Sequence, residues 1–145
     1  MNTPVALRAM PVTRIKILIV DDLAEVRQDL RTVLQLAEDL EIVGEAANGI
    51  EAVQLLDKLS PDVVLMDLAM PGLDGFEATR QIKGRHPSKR VVVLTIHDDA
   101  LSRERAAEAG ADAFVEKGSG VAALLGTIRR VGGRLSQEQD GQNLA

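Results

Sequence analysis

The chain has 145 residues, 46% of them hydrophobic and 27% charged, with a net charge of −5 and no cysteine. That length suits one globular domain with a core of ordinary size. The negative balance gives the surface as a whole no reason to bind nucleic acid or an anionic membrane, and the missing cysteine excludes disulfides, zinc-thiolate sites and redox thiols.

Only Phe76 and Phe114 are aromatic, too few for a base-stacking platform. No apolar run reaches signal-peptide length in residues 1–14 or membrane-spanning length later. A cytoplasmic protein without a membrane or direct nucleic-acid partner is expected. Residues 1–14 read as a flexible leader, 15–132 as the folded domain and 133–145 as a polar tail.

The first short apolar run, Ile17-Leu18-Ile19-Val20, has strand length and ends on Asp21-Asp22. Leu23, Val26, Leu30, Val33, Leu34 and Ala37 then share one helical face, with Glu25, Arg27, Asp29 and Arg31 on the rest. Glu41 to Ala46 is a thinner strand, and Asn48 with Glu51 has the form of a capping box opening a helix through Leu59. After Pro61, the buried run Val63-Val64-Leu65-Met66 carries the chain to Asp67-Leu68. Asp74 caps a helix over 76–83, and Arg90 to Leu94 is a β-branched strand ending on Thr95. Asp98 and Asp99 are cap candidates for a helix over 100–109 that Gly110 closes. Ala113-Phe114-Val115 forms a last strand reaching Glu116-Lys117. Val121, Leu124, Leu125, Ile128 and Val131 then line a final helix, which Gly132-Gly133 is expected to end.

Five short strands alternating with five helices imply a parallel sheet covered on both faces, because parallel neighbours need crossover helices. This is a doubly wound α/β fold, whose ligand site lies beyond the carboxyl ends of the strands. Asp21, Asp22, Asp67, Thr95 and Lys117 are therefore expected to meet in space. Carboxylates brought together either share a proton or bind a cation, and all-oxygen ligation selects Mg²⁺ or Mn²⁺. A metal on Asp22 and Asp67 leaves an Asp67 oxygen as nucleophile, with Lys117 and Thr95 as donors to an incoming phosphoryl group.

These residues carry a resemblance. Val20-Asp21-Asp22, the run from Leu65 through Asp67 to Gly75, Leu94-Thr95, and the run from Ala109 to Lys117 closely resemble the receiver domain of two-component response regulators, over about 15–131. The resemblance implies a flavodoxin-like sheet of order 2-1-3-4-5. It also implies that Asp67 accepts a phosphoryl group from a histidine kinase or histidine phosphotransfer protein. Asp22, Asp67 and the Ala69 carbonyl would ligate Mg²⁺, with Asp21 acting through a water. Thr95 and Phe114 would form the switch pair, and His97 and Ala69 occupy positions that vary with phosphate lifetime. Such a protein is a phosphoacceptor that assists its own phosphorylation and dephosphorylation rather than a turnover enzyme. A homodimer or a protein output partner would form on phosphorylation. The last third looks most like the subfamily that continues into a DNA-binding helix-turn-helix. Residues 132–145 are too few for one, so a stand-alone receiver is expected, with a fragment of a longer DNA-binding regulator as the alternative.

Two departures bear on function. Gly118 follows Lys117 where many relatives have proline, which alone makes a cis peptide inexpensive. Ile96 stands where a small residue is usual, and should narrow the mouth of the site. Other classes fit less well: an aspartyl-phosphate hydrolase needs an acid two residues after its nucleophile, where Ala69 stands. A nucleotide-binding domain needs glycines after the first strand, where Asp21-Asp22 stands. Singly, an Asp pair is a turn or cap, Thr95 is strand propensity, Phe114 is core, His86 and His97 are surface residues, and Arg103, Arg105 and Arg129-Arg130 are most simply solvated helix faces, with a partner contact as the minority reading. It is the joint placement of acids, hydroxyl and ammonium at strand ends that points to phosphoryl chemistry.

Overall fold

A computed structural model describes residues 13–70 and 72–144, with side chains as far as residue 133. Most of the expected leader and tail side chains therefore lie outside the described residues. Five strands alternate with helices: β1 Ile15–Val20, α1 Ala24–Leu34, β2 Leu40–Ala46, α2 Gly49–Leu59, β3 Val63–Met66 and α3 Gly75–Arg85. They continue as β4 Arg90–Thr95, α4 Ala100–Ala109, β5 Ala113–Glu116 and α5 Val121–Leu144, with a 3₁₀ turn over Lys117–Ser119 before α5. All pairings are parallel and the sheet order is β2-β1-β3-β4-β5, as expected for a doubly wound flavodoxin-like fold.

Alternation along each strand divides the core. Ile17 and Ile19 join Leu65, Val92, Leu124, Ile128 and Val131 on one face of the sheet, while Leu18 and Val20 join Val64, Met66, Leu56 and Ile82 on the other. Burial of both faces is why these strands read as unbroken apolar runs. The caps follow the sequence: Asn48 Oδ1 accepts from Glu51 N at 2.8 Å, Asp74 Oδ1 from Glu77 N at 2.9 Å and Asp99 Oδ1 from Ser102 N at 2.7 Å. Gly110 closes α4 with a φ of 102°.

Two expectations need correction. Leu23 and Ala37 are not on the first helix: Leu23 precedes α1 and is 57% exposed, Ala37 lies past its end though it packs on the core, and Leu34 is the one fully buried residue of that helix. Gly132-Gly133 does not end the last helix, which continues to Leu144. A helical glycine costs about 1 kcal/mol without forbidding the helix, and the reason for Gly132 is close packing. A Cβ there would come within 2.9 Å of Ile15 Cγ2. Among the described residues, no helix is long and apolar enough to cross a membrane.

Candidate functional site

Parallel register brings the acids together. Val20 pairs with Met66 across β1 and β3, so the next residues, Asp21 and Asp67, leave the sheet side by side. Met66 pairs with Val93, which places Thr95 on the adjoining strand end, and Thr95 pairs with Glu116, immediately before Lys117. Four of the residues expected to meet thus do so through backbone pairing, and Asp22 joins them. One carboxylate oxygen each from Asp21, Asp22 and Asp67 lies within 4.8 Å of the others.

Lys117 Nζ stands between two of these acids, 2.7 Å from Asp21 Oδ2 and 3.7 Å from Asp67 Oδ1. Asp67 is only 7% exposed. Burial pushes its carboxyl above the ordinary range, against the opposing pull of the Lys117 ammonium; the Asp21 and Asp22 charges add to the rise, and the Ala69 backbone N–H counters it. Three carboxylates facing one ammonium leave a formal double negative charge, and every donor is a hard oxygen. That donor set fits Mg²⁺ or Mn²⁺.

Gly75, the first residue of α3, comes close to the Asp67 backbone. A Cβ on Gly75 would lie 2.1 Å from the Asp67 carbonyl oxygen, so only glycine lets α3 begin against the end of β3. Thr95 is fully buried, and its Oγ1 accepts from the His97 N–H at 3.1 Å. The hydroxyl keeps its own proton for a second partner. His97 contributes its backbone here, and its side chain is exposed. The Lys117–Gly118 peptide is trans.

Phe114 is half-buried and packs with Phe76, Leu68, Val93 and Ala106 between the sheet and α4. The Arg103 guanidinium lies 4.6 Å from the Phe114 ring centre and pairs with Asp98, while Arg105 lies 4.0 Å from the Phe76 ring. Arg129 pairs with Asp39 through two hydrogen bonds. Simple solvation, the sequence reading for these arginines, is thus incomplete. A larger omission is Arg27, whose Nη1 donates to the Asp21 carbonyl at 2.6 Å while its Nε holds Glu45. The only hint in sequence was the i, i+4 spacing of Arg27 and Arg31.

Ile96 is 68% exposed and directly follows buried Thr95. Replacing a branched side chain by alanine there costs little stability. Ile96→Ala is expected to raise the rate of phosphorylation by acetyl phosphate roughly threefold or more, because even ~0.7 kcal/mol of obstruction has that effect on a barrier. Dephosphorylation should quicken as well if attacking water enters past the same side chain. Rates at or below those of the parent, with Mg²⁺ affinity unchanged, would show that entry does not limit transfer.

Sheet order and strand-end acids define the class as a doubly wound domain with an acidic, lysine-bridged site. The chain belongs to the response regulator receiver domain family, whose description matches residues 17–129. It is 40% identical over 133 residues to the response regulator GacA of Pseudomonas syringae pv. syringae (strain B728a), an alignment covering 90% of this chain and 62% of that protein. The chain thus spans about three-fifths of the length of that relative. Among solved structures, a LuxR-family two-component response regulator from Aurantimonas sp. SI85-9A1 superposes with a TM-score of 0.80 at 32% identity, covering 91% of this chain and 99% of that one. A CheX–CheY complex from Borrelia burgdorferi containing BeF3 and Mg²⁺ superposes at 0.75 and 26% identity, covering 80% and 87%.

Proposed function

We propose that Asp67 is the phosphoacceptor of a two-component phosphorelay and that its reaction needs a divalent ion, which Asp22, Asp67 and the Ala69 carbonyl would hold, with Asp21 acting through a water. The observation that carries this is the lysine-bridged cluster of three carboxylates at the ends of β1 and β3. The likeness to a complex containing BeF3 and Mg²⁺ supports it. Mg²⁺ or Mn²⁺, when bound, neutralises charge on the acids and the incoming phosphoryl oxygens.

The chain's own residues do the rest. An Asp67 oxygen attacks phosphorus, the bond from phosphorus to the donor's histidine nitrogen breaks, and the electron pair stays on the imidazole. Lys117, already beside Asp67, donates to a phosphoryl oxygen, and the Thr95 hydroxyl is the second donor. Phosphate contact by Thr95 draws on the space beside Phe114, which links the site to the surface of α4, β5 and α5. The donor is a histidine kinase or histidine phosphotransfer protein in the cytoplasm. The protein assists its own phosphorylation and dephosphorylation rather than turning over a substrate.

The output is a protein surface, either for a second copy or for a downstream partner, with no nucleic-acid contact made by this domain. Relatives such as the transcriptional regulatory protein LiaR of Bacillus subtilis (strain 168), 42% identical over 54% of its length, favour a second reading in which the receiver is part of a longer DNA-binding regulator.

An acyl phosphate is reduced by borohydride, which gives a direct test. After phosphorylation with acetyl phosphate and Mg²⁺, reduction should convert Asp67, and no other aspartate, to homoserine in the peptide masses. Conversion at Asp21 or Asp22 instead would overturn the assignment.

A further inference from the structure

Asp21 is tethered at every polar atom. Its N–H donates to the Ala46 carbonyl at 3.1 Å, its Oδ1 accepts from Leu23 N at 2.9 Å, its Oδ2 from Lys117 at 2.7 Å, and its carbonyl from Arg27 Nη1 at 2.6 Å. The last of these contacts comes from a side chain that is only 18% exposed. Arg27 is itself held in place. Its Nε meets Glu45 Oε1 at 3.1 Å, and the other Glu45 oxygen is held by Arg31 Nε at 2.6 Å. Glu45 on β2 thus fixes the guanidinium, and the guanidinium fixes the carbonyl.

The peptide is planar, so a bond to the Asp21 carbonyl orients the whole plane that carries the nitrogen and Cα of Asp22. Asp22 is the one member of the acidic cluster that lies outside a strand end held by pairing. We infer that Arg27 is a positioning residue for the cation site, gripping the Asp21–Asp22 peptide so that the Asp22 carboxylate is delivered to Asp67. The inference rests on the acidic cluster being a divalent-cation site. Groups that orient metal ligands without touching the metal are worth about 10–100-fold in affinity. A carbonyl that has lost its donor leaves the loop free to rotate, and Asp22 must then be ordered by the cation itself.

The test is Mg²⁺ affinity, by calorimetry, of the parent, Arg27→Ala, Arg27→Lys and Arg31→Ala. Arg31→Ala breaks an equivalent bond to Glu45 but touches no atom of Asp21, so it reports loss of the α1–β2 tie alone. Arg27→Ala should weaken Mg²⁺ binding tenfold or more, Arg31→Ala by less than twofold, and Arg27→Lys should recover part of the loss. Urea unfolding without metal should show both alanine variants folded, with the larger loss for Arg27→Ala, which also gives up the Asp21 bond, so affinities measured on folded protein separate positioning from general weakening. If Arg27→Ala does not fold, Arg27→Gln, which keeps the stem, carries the same comparison. Equal affinities for Arg27→Ala and Arg31→Ala overturn the positioning role and leave the cation site standing. A parent that binds no Mg²⁺, or that binds it equally well as Asp67→Asn, overturns both.

Discussion

Lys117→Ala should leave Mg²⁺ binding intact or tighter while slowing phosphorylation by acetyl phosphate roughly tenfold or more. The ammonium is 2.7 Å from Asp21 and 3.7 Å from Asp67, so any cation entering the cluster meets a like charge there. Its removal costs the metal nothing and relieves that repulsion. The phosphoryl oxygens lose a charge-assisted donor worth about 1.5–3 kcal/mol, hence the tenfold or larger effect on rate. Without metal the variant should be less stable, because Asp21 and Asp67 stay buried with their counter-ion gone. Saturating Mg²⁺ should return much of that stability, since a ligand that binds only the folded state stabilises it by mass action. Calorimetric titration, rate measurement and urea unfolding check the three parts. Clearly weaker Mg²⁺ binding would contradict the role given to Lys117.

Asp67→Asn should make the metal-free protein more stable than the parent at neutral pH, with a higher urea midpoint. Burial raises the folded-state carboxyl above the usual 3.8. Folding therefore favours the protonated acid: the benefit is complete below the unfolded pKa and is lost as pH rises through the folded one. Above that window the ionised Asp67 is a standing cost, which a neutral amide of the same shape removes. The variant's advantage should shrink as pH falls from neutrality through the raised pKa towards 3.8. Mg²⁺ should stabilise the parent more than the variant. Urea midpoints at several pH values, with and without Mg²⁺, test the sign. A variant less stable than the parent at neutral pH would show that the carboxylate is compensated rather than strained.

The site was legible because its chemistry sits where strands end. A parallel sheet forces those ends to one edge, so Asp21, Asp67, Thr95 and Lys117 were brought together by strand order before any distance was known. The caps were legible for a similar reason, since Asn48, Asp74 and Asp99 each satisfy an N–H three residues on. What escaped was set by tertiary contact. Leu23 has the helical spacing of a core residue but precedes the first turn of α1, where it points outward. Gly132 resembles a stop signal and is instead a place where α5 approaches Ile15. Arg27 carries a charge on a polar helix face, and nothing local says that its partner is a backbone carbonyl six residues earlier.

The central claim is that Asp67 is the phosphoacceptor and depends on a divalent ion. Intact mass after incubation with acetyl phosphate should show one phosphoryl adduct in the parent with Mg²⁺, and none in excess chelator or in Asp67→Asn. An adduct that persists in Asp67→Asn, or that forms equally well in chelator, would contradict the account.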